Sequence, residues 1–206
     1  LIIVAVINMV NITGLIDISR VDYKEFAIAI ITFGGVVLYG ILLGVVFGTV
    51  LSLIDILHKI TFPHTAVLGR IPGTDIFGDV KRKPKKESLQ GVLIFRIDSP
   101  MFFANVPTVK ELLDTQLEEQ AEPIKLVILD LNYSPIVDVT AVDMLRELSN
   151  ELQEKGISLR LANTTGQVRD FIRKTGSVDS FGHLDATDPI TFVLDEWREE
   201  MNNHNK

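Results

Sequence analysis

The hydrophobic pattern changes character along the chain. Up to Leu57 apolar residues run almost without interruption, and from Phe62 onward they come in short bursts between polar turns. Phe26–Leu57 carries one charge, Asp55. As a single straight helix it would measure roughly 48 Å, against a bilayer hydrocarbon core of roughly 30 Å. One strongly tilted span is open, but two short spans meeting near Gly34–Gly35 or Tyr39–Gly40 fit better. Arg20 and Lys24 precede the stretch, and His58, Lys59 and a basic run follow it. If both flanks lie inside, the chain crosses an even number of times. Leu1–Leu15 reads either as the end of a further membrane helix, with Asn8 and Asn11 on a face turned toward other helices, or as a buried helix of a soluble protein. Asp17–Glu25 is a polar connector. Gly40, Gly44 and Gly48 lie four apart, so they cut a groove of small residues on one helix face, suited to a dimer or to packing within the same bundle.

The second half alternates strand and helix patterns. HTAVLGRI is a strand and Pro72-Gly73 a turn. GVLIFRID (Gly91–Asp98) and FFANV (Phe102–Val106) are further strand candidates. Thr108–Gln120 is a helix with Val109, Leu112, Leu113 and Leu117 as its apolar stripe. Leu126–Leu131 is a β-branched-rich run without alternation, as in a strand covered on both faces. Val142, Leu145, Leu148 and Leu152 then recur at spacings of three and four, on one helix face. Gly156 stands where that helix needs a left-handed stop. Ser158–Ala162 is the last core strand. Val168–Thr175 and Ile190–Met201 are amphipathic helices, the second with Phe192, Val193 and Trp197 facing inward. Asn202–Lys206 is a polar tail. Strand, polar loop, capped helix and strand make a βαβ unit with a polar site at the carboxyl end of its first strand.

Charge sharpens the division. Residues 1–60 carry three basic and four acidic side chains, residues 61–86 six and two, and residues 87–206 eleven and twenty-one. A basic collar between an apolar and an acidic part is a membrane-border layout, and it argues against a nucleic-acid partner. The run KRKPKK (Lys81–Lys86) is either a solvated loop on the inner side or a patch drawn to anionic lipid, worth about 1 kcal/mol per charge. The chain has no Cys, which removes disulfides and thiolate chemistry. It begins inside an apolar run without Met, and lacks the basic segment and cleavage site of a signal peptide. It is expected to be the C-terminal piece of a longer protein.

Three places could carry chemistry. Asp138 and Thr140 lie directly before the helix of Val142–Leu152. Either can cap it, and Thr140 with Asp143 forms an [ST]-x-x-[DE] box. Asp55 at membrane depth would suggest ion coupling, but Lys59 four residues on points to an interfacial ion pair. His58, His64, His183 and His204 show no metal-ligand spacing, and no Gly-rich phosphate loop or nucleophile elbow occurs. No metal, cofactor or enzymatic activity is expected.

The stretch ILDLNYSPIVDVTAVDMLRELSNELQEKGISLRLANT resembles the STAS domain shared by sulfate transporters and anti-sigma-factor antagonists, in a match running from about Phe62 to Asn202. PHTAVLGRIPGTDIFGDV, joined to the apolar hairpin before it, narrows this to the SulP-type sulfate permeases, the SLC26-like anion transporters. The resemblance implies α-helical transmembrane segments followed by an α/β STAS domain, a mixed β-sheet with amphipathic helices packed on it. It divides the chain into transmembrane helices over 1–60, a juxtamembrane basic segment with the first STAS strand over 61–90, and a cytosolic STAS domain over 91–206. It further implies an integral inner- or plasma-membrane protein, a homodimer, and secondary transport of sulfate or a similar anion. The transport site would lie upstream of residue 1, so no substrate-binding residue can be named, and the STAS domain would serve regulation, assembly or partner binding. In anti-sigma antagonists the loop matching Asp138–Thr140 carries a phosphorylated Ser or Thr, and Thr140 falls on it. Ala141 replaces the Gly that usually follows. A membrane-tethered phospho-switch acting on a kinase or anti-sigma partner is therefore the rival reading, and a soluble α/β binding protein with a greasy helix pair is a third.

Overall fold

The computed structural model describes residues 12–82, 87–182, 184 and 188–204. The expectations for Asn8 and Asn11, most of the basic run, His183, the His204 side chain and the last two residues lie outside them. The chain divides into two compact units, Leu1–Lys59 and Ile60–Lys206.

In the first unit the described residues form three helices, α1 (Ile12–Val21), α2 (Tyr23–Tyr39) and α3 (Ile41–Thr61, which runs two residues past the unit boundary). The polar connector expected over Asp17–Glu25 is helical instead. Asp22 is its only break, and the Asp22 carboxylate accepts the backbone N–H groups of Lys24 and Glu25 and so starts α2 at once. The long apolar stretch is two helices rather than one tilted span, and they part at Gly40, one of the two breaks expected. That residue has φ +89°, in the region that side chains avoid. Nothing lies within 4 Å of where its Cβ would be, so the backbone angle alone calls for glycine. Gly44 and Gly48 are buried, and a Cβ on either would collide with Val36 or Thr32 of α2. The small-residue face is therefore used at least within the hairpin. Among the described residues one helix, α3, is long and apolar enough to cross a membrane.

The second unit is a five-stranded sheet with β1 (Thr65–Arg70), β2 (Phe77–Asp79), β3 (Val92–Ile97), β4 (Leu126–Asp130) and β5 (Ser158–Ala162). The strand order is β2-β1-β3-β4-β5. The β2/β1 and β1/β3 pairs are antiparallel, and β3, β4 and β5 run parallel. Helices α4 (Val106–Glu118), α5 (Val139–Glu154) and α6 (Gly166–Lys174) and a 3-10 turn at Val178–Ser180 follow the parallel strands, and α7 (Ile190–His204) ends the described chain.

The unbroken apolar runs are explained by the layers. Leu93, Phe95 and Ile97 with Val127 and Leu129 face a core shared with α4, α5 and α6. Val92 and Ile94 with Leu126 and Ile128 face a second core under α7. All five residues of β4 are buried, as in a parallel strand covered on both sides. Val142, Leu145, Leu148 and Leu152 are all buried on the inner face of α5, each worth about 1.5–3 kcal/mol of transfer free energy. Gly156 follows with φ +74°.

Two expectations are corrected. FFANV is not a strand. Only Met101 just before it makes a bridge, to Val137, and the segment curls into α4. The reason is Asn105, whose side chain is fully buried. Its Oδ1 accepts the Phe102 N–H, and its Nδ2 donates to the Pro100 carbonyl at 2.7 Å, to the Ser99 hydroxyl and to the Ile60 carbonyl. One amide thus satisfies the loop in place of a ladder, and Pro107 starts the helix. In α7, Val193 is buried and Trp197 packs on the second core, but Phe192 is exposed.

Candidate functional site

The βαβ arrangement brings the loops after β3 and β4 to one end of the sheet. There Met101 and Asp138 zip the two loops together. The Met101 N–H donates to the Ile136 carbonyl at 2.9 Å, and the Asp138 N–H donates to the Met101 carbonyl at 3.2 Å. Asp138 is the N-cap of α5, its Oδ1 accepting the Ala141 N–H at 2.8 Å. Its Oδ2 accepts the Phe103 N–H of the neighbouring loop at 2.9 Å. One carboxylate therefore closes the helix and ties two loops.

Thr140 takes no part in the cap. It is exposed in the first turn of α5. The box expected between Thr140 and Asp143 does not form as the helix start, because the helix begins at Val139 and Asp143 pairs with Arg146 at 2.9 Å. A group added to the Thr140 hydroxyl would meet solvent, the positive end of the helix dipole, and the charges of Asp138 and Asp143.

Beside this loop lies a polar cluster that the sequence reading did not single out. Arg96 donates to both oxygens of Asp98, at 2.6 and 3.1 Å, and His64 Nδ1 lies 2.8 Å from Asp98 Oδ2. Partial burial pushes the Asp98 carboxyl up, but hydrogen bonds from Arg96 and His64 outweigh it and hold the group below its ordinary value. The same Asp98 hydrogen bond pushes Arg96 up. The guanidinium carbon of Arg96 sits 5.3 Å from the centre of the Tyr133 ring. Next to it Asp130, 4% exposed, accepts the Asn132 N–H and the Asn163 side-chain amide at 2.9 Å. Asn163 has φ +54°, the one non-glycine residue with a positive φ among those described. Arg96, Asp130, Asn132, Tyr133 and Asn163 line a cleft of about 270 Å³. A signal was present in the sequence: Arg96 and Asp130 are the polar positions of two apolar strand runs, and they lie opposite each other in register.

The other candidates separate. Asp55 lies 2.9 Å from Lys59, the expected i,i+4 pair, and Lys59 also reaches Glu25 at 3.3 Å and Asp22 at 3.5 Å. Among the described residues no group of three or more His, Asp or Glu side chains could hold a metal.

The STAS domain family profile matches residues 83–189, half of the chain. Sulfate transporter 4.1, chloroplastic, from Arabidopsis thaliana is 33% identical over 191 residues, covering 88% of this chain and 28% of the transporter. High affinity sulfate transporter 2 from Stylosanthes hamata is 32% identical over 171 residues, covering 79% of this chain and 26% of its own length. The chain thus spans little more than a quarter of these relatives. In fold it is similar to the murine Solute Carrier 26 family member A9 anion transporter, with a TM-score of 0.78 at 21% identity over 89% of this chain and 30% of that one. With the profile over half of the chain and a mixed sheet to match, the chain belongs to the STAS domain family, and its similarity to sulfate transporters extends well before residue 83.

Proposed function

We propose that this chain is the STAS-bearing part of a secondary transporter for sulfate or a similar anion. On this reading residues 1–60 are transmembrane helices with α2 and α3 as a membrane hairpin, residues 61–90 form the basic border with the first STAS strand, and the STAS domain over 91–206 stands in the cytoplasm. The observation that carries it is the reach of the transporter similarity. Coverage of 88% of the chain cannot be met by the STAS domain alone, so the apolar unit shares in it. The hairpin adds support, since its two outer ends meet where Lys59 pairs with Asp22 and Glu25, as an even number of crossings requires.

The STAS domain is suited to regulation or assembly rather than to carrying the anion. The buried Asn105 amide holds the Ile60 carbonyl against the loop after β3, and Asp138 ties that loop to the start of α5. A change at the Thr140 loop therefore has a hydrogen-bonded route to the segment leaving the apolar helix. The test is uptake of radiolabelled sulfate by cells expressing the whole transporter with and without residues 62–206. Loss of uptake with the protein still in the membrane supports the reading, and unchanged uptake overturns the need for the domain. The exposure of Thr140 favours a second reading, a tethered phospho-switch for a kinase or anti-sigma partner. Mass-spectrometric detection of phosphate on Thr140, with altered partner binding, would select it.

A further inference from the structure

Four large apolar side chains at the carboxyl end of the sheet are more than half exposed: Phe62, Phe103, Ile136 and Val139. They belong to three separate stretches of chain, yet the hydrogen bonds of Asn105, Met101 and Asp138 gather those stretches at one edge. None of the four is charged. Asp138, next to Val139 in the chain, has both oxygens occupied by backbone N–H groups, and Asp98 is held between Arg96 and His64. A soluble surface seldom keeps such side chains together unless something covers them.

We infer that this rim rests in the headgroup zone of the bilayer, so that lipid covers Phe103, Ile136 and Val139. What selects lipid as the occupant is the tether. From Thr61, the last residue of α3, to Thr65, the first of β1, the chain spans about 14 Å at most, and Phe62 lies within it. A sheet edge leashed that closely to a membrane-spanning helix meets the interface, where exposed aromatic and branched side chains gain by burial into the acyl boundary. The inference rests on the reading of α3 as a membrane span.

The absence of Cys permits a direct test. Phe103→Cys and Ile136→Cys, each labelled with an environment-sensitive fluorophore, are reconstituted as the full chain in phosphatidylcholine vesicles. Val50→Cys, exposed within α3, and Lys155→Cys, exposed at the far end of α5, serve as references. Lipids carrying a nitroxide high on the acyl chain should quench Phe103→Cys and Ile136→Cys and leave Lys155→Cys bright. A nitroxide deep in the chain should quench Val50→Cys. Blue-shifted but unquenched emission at Phe103→Cys and Ile136→Cys would mean that protein covers the rim, and water-like emission would mean that nothing does. Either overturns the inference. Quenching at Val50→Cys alone leaves the membrane span standing without it, whereas no quenching at Val50→Cys removes the span as well.

Discussion

Asp138 and Thr140 stand two residues apart and invite the same role, so substitution separates them sharply. Asp138→Ala removes the cap on the Ala141 N–H and the bond from the Phe103 N–H together. Losing an N-cap costs about 1 kcal/mol, and losing a bond to a charged acceptor about 1.5–3 kcal/mol, less where water can replace it. The expected total is about 2–3 kcal/mol. Asp138→Asn keeps one carbonyl oxygen and can serve only one of the two N–H groups well, so about half of that loss is expected. Thr140→Ala should fall within about 0.5 kcal/mol of the parent, because the side chain is exposed and the cap lies elsewhere. Trp197, the one tryptophan in the chain, packs from α7 onto the second core and reports the STAS unit alone. Urea unfolding of the detergent-solubilised chain, followed by its fluorescence, measures all three variants. Equal losses for Asp138→Ala and Thr140→Ala, or no loss for either, would refute the assignment of the cap.

Further outcomes follow from packing and charge. Leu145→Ala empties a fully buried site on α5 and should cost about 2–5 kcal/mol in the same unfolding assay. Gly44→Leu and Gly48→Leu should each weaken the α2–α3 hairpin by about 1–3 kcal/mol, read as loss of circular dichroism during dodecyl sulfate titration. Gly34→Leu, with open space at its Cβ, should cost nothing and can gain from helix propensity. The folded carboxyl of Asp98 lies below its ordinary 3.8, so its contribution is present above that pH. It fades as the pH falls below 3.8 through the folded value. Asp98→Asn should therefore lower stability near neutral pH and flatten the acid limb of a melting-temperature profile. Profiles that stay parallel would contradict this.

The sequence made some elements plain and hid others for identifiable reasons. Leu126–Leu131 and the stripe of Val142, Leu145, Leu148 and Leu152 were legible because burial on two faces or one leaves a direct trace in residue type. The break at Gly40 was legible as one of two places where a helix of that length could turn. FFANV misled because its composition suits a strand, while its conformation is dictated by Asn105, whose bonds to Ile60, Ser99 and Pro100 arise only in the fold. Thr140 looked like half of a capping box because spacing alone cannot tell which of two side chains, two residues apart, reaches the backbone. The Arg96–Asp98–His64 cluster joins residues from two stretches, and no local pattern announces such a meeting.

The two faces of the sheet are covered in unlike ways. Over one face, α4 and α5 are threaded between strands and α6 joins them after β5, so three helices share that core. Among the described residues the other face has one helix, α7 at the end of the chain, which brings Ile190, Val193 and Leu194 to it. Shortening the protein before Ile190 would leave every strand in place yet uncover a greasy plane containing Ala66, Leu68, Val92, Ile94, Leu126 and Ile128. Such a molecule should precipitate or self-associate although its secondary structure is nearly intact. A premature stop in this last segment would thus do its harm through insolubility, far from any loop that senses a signal.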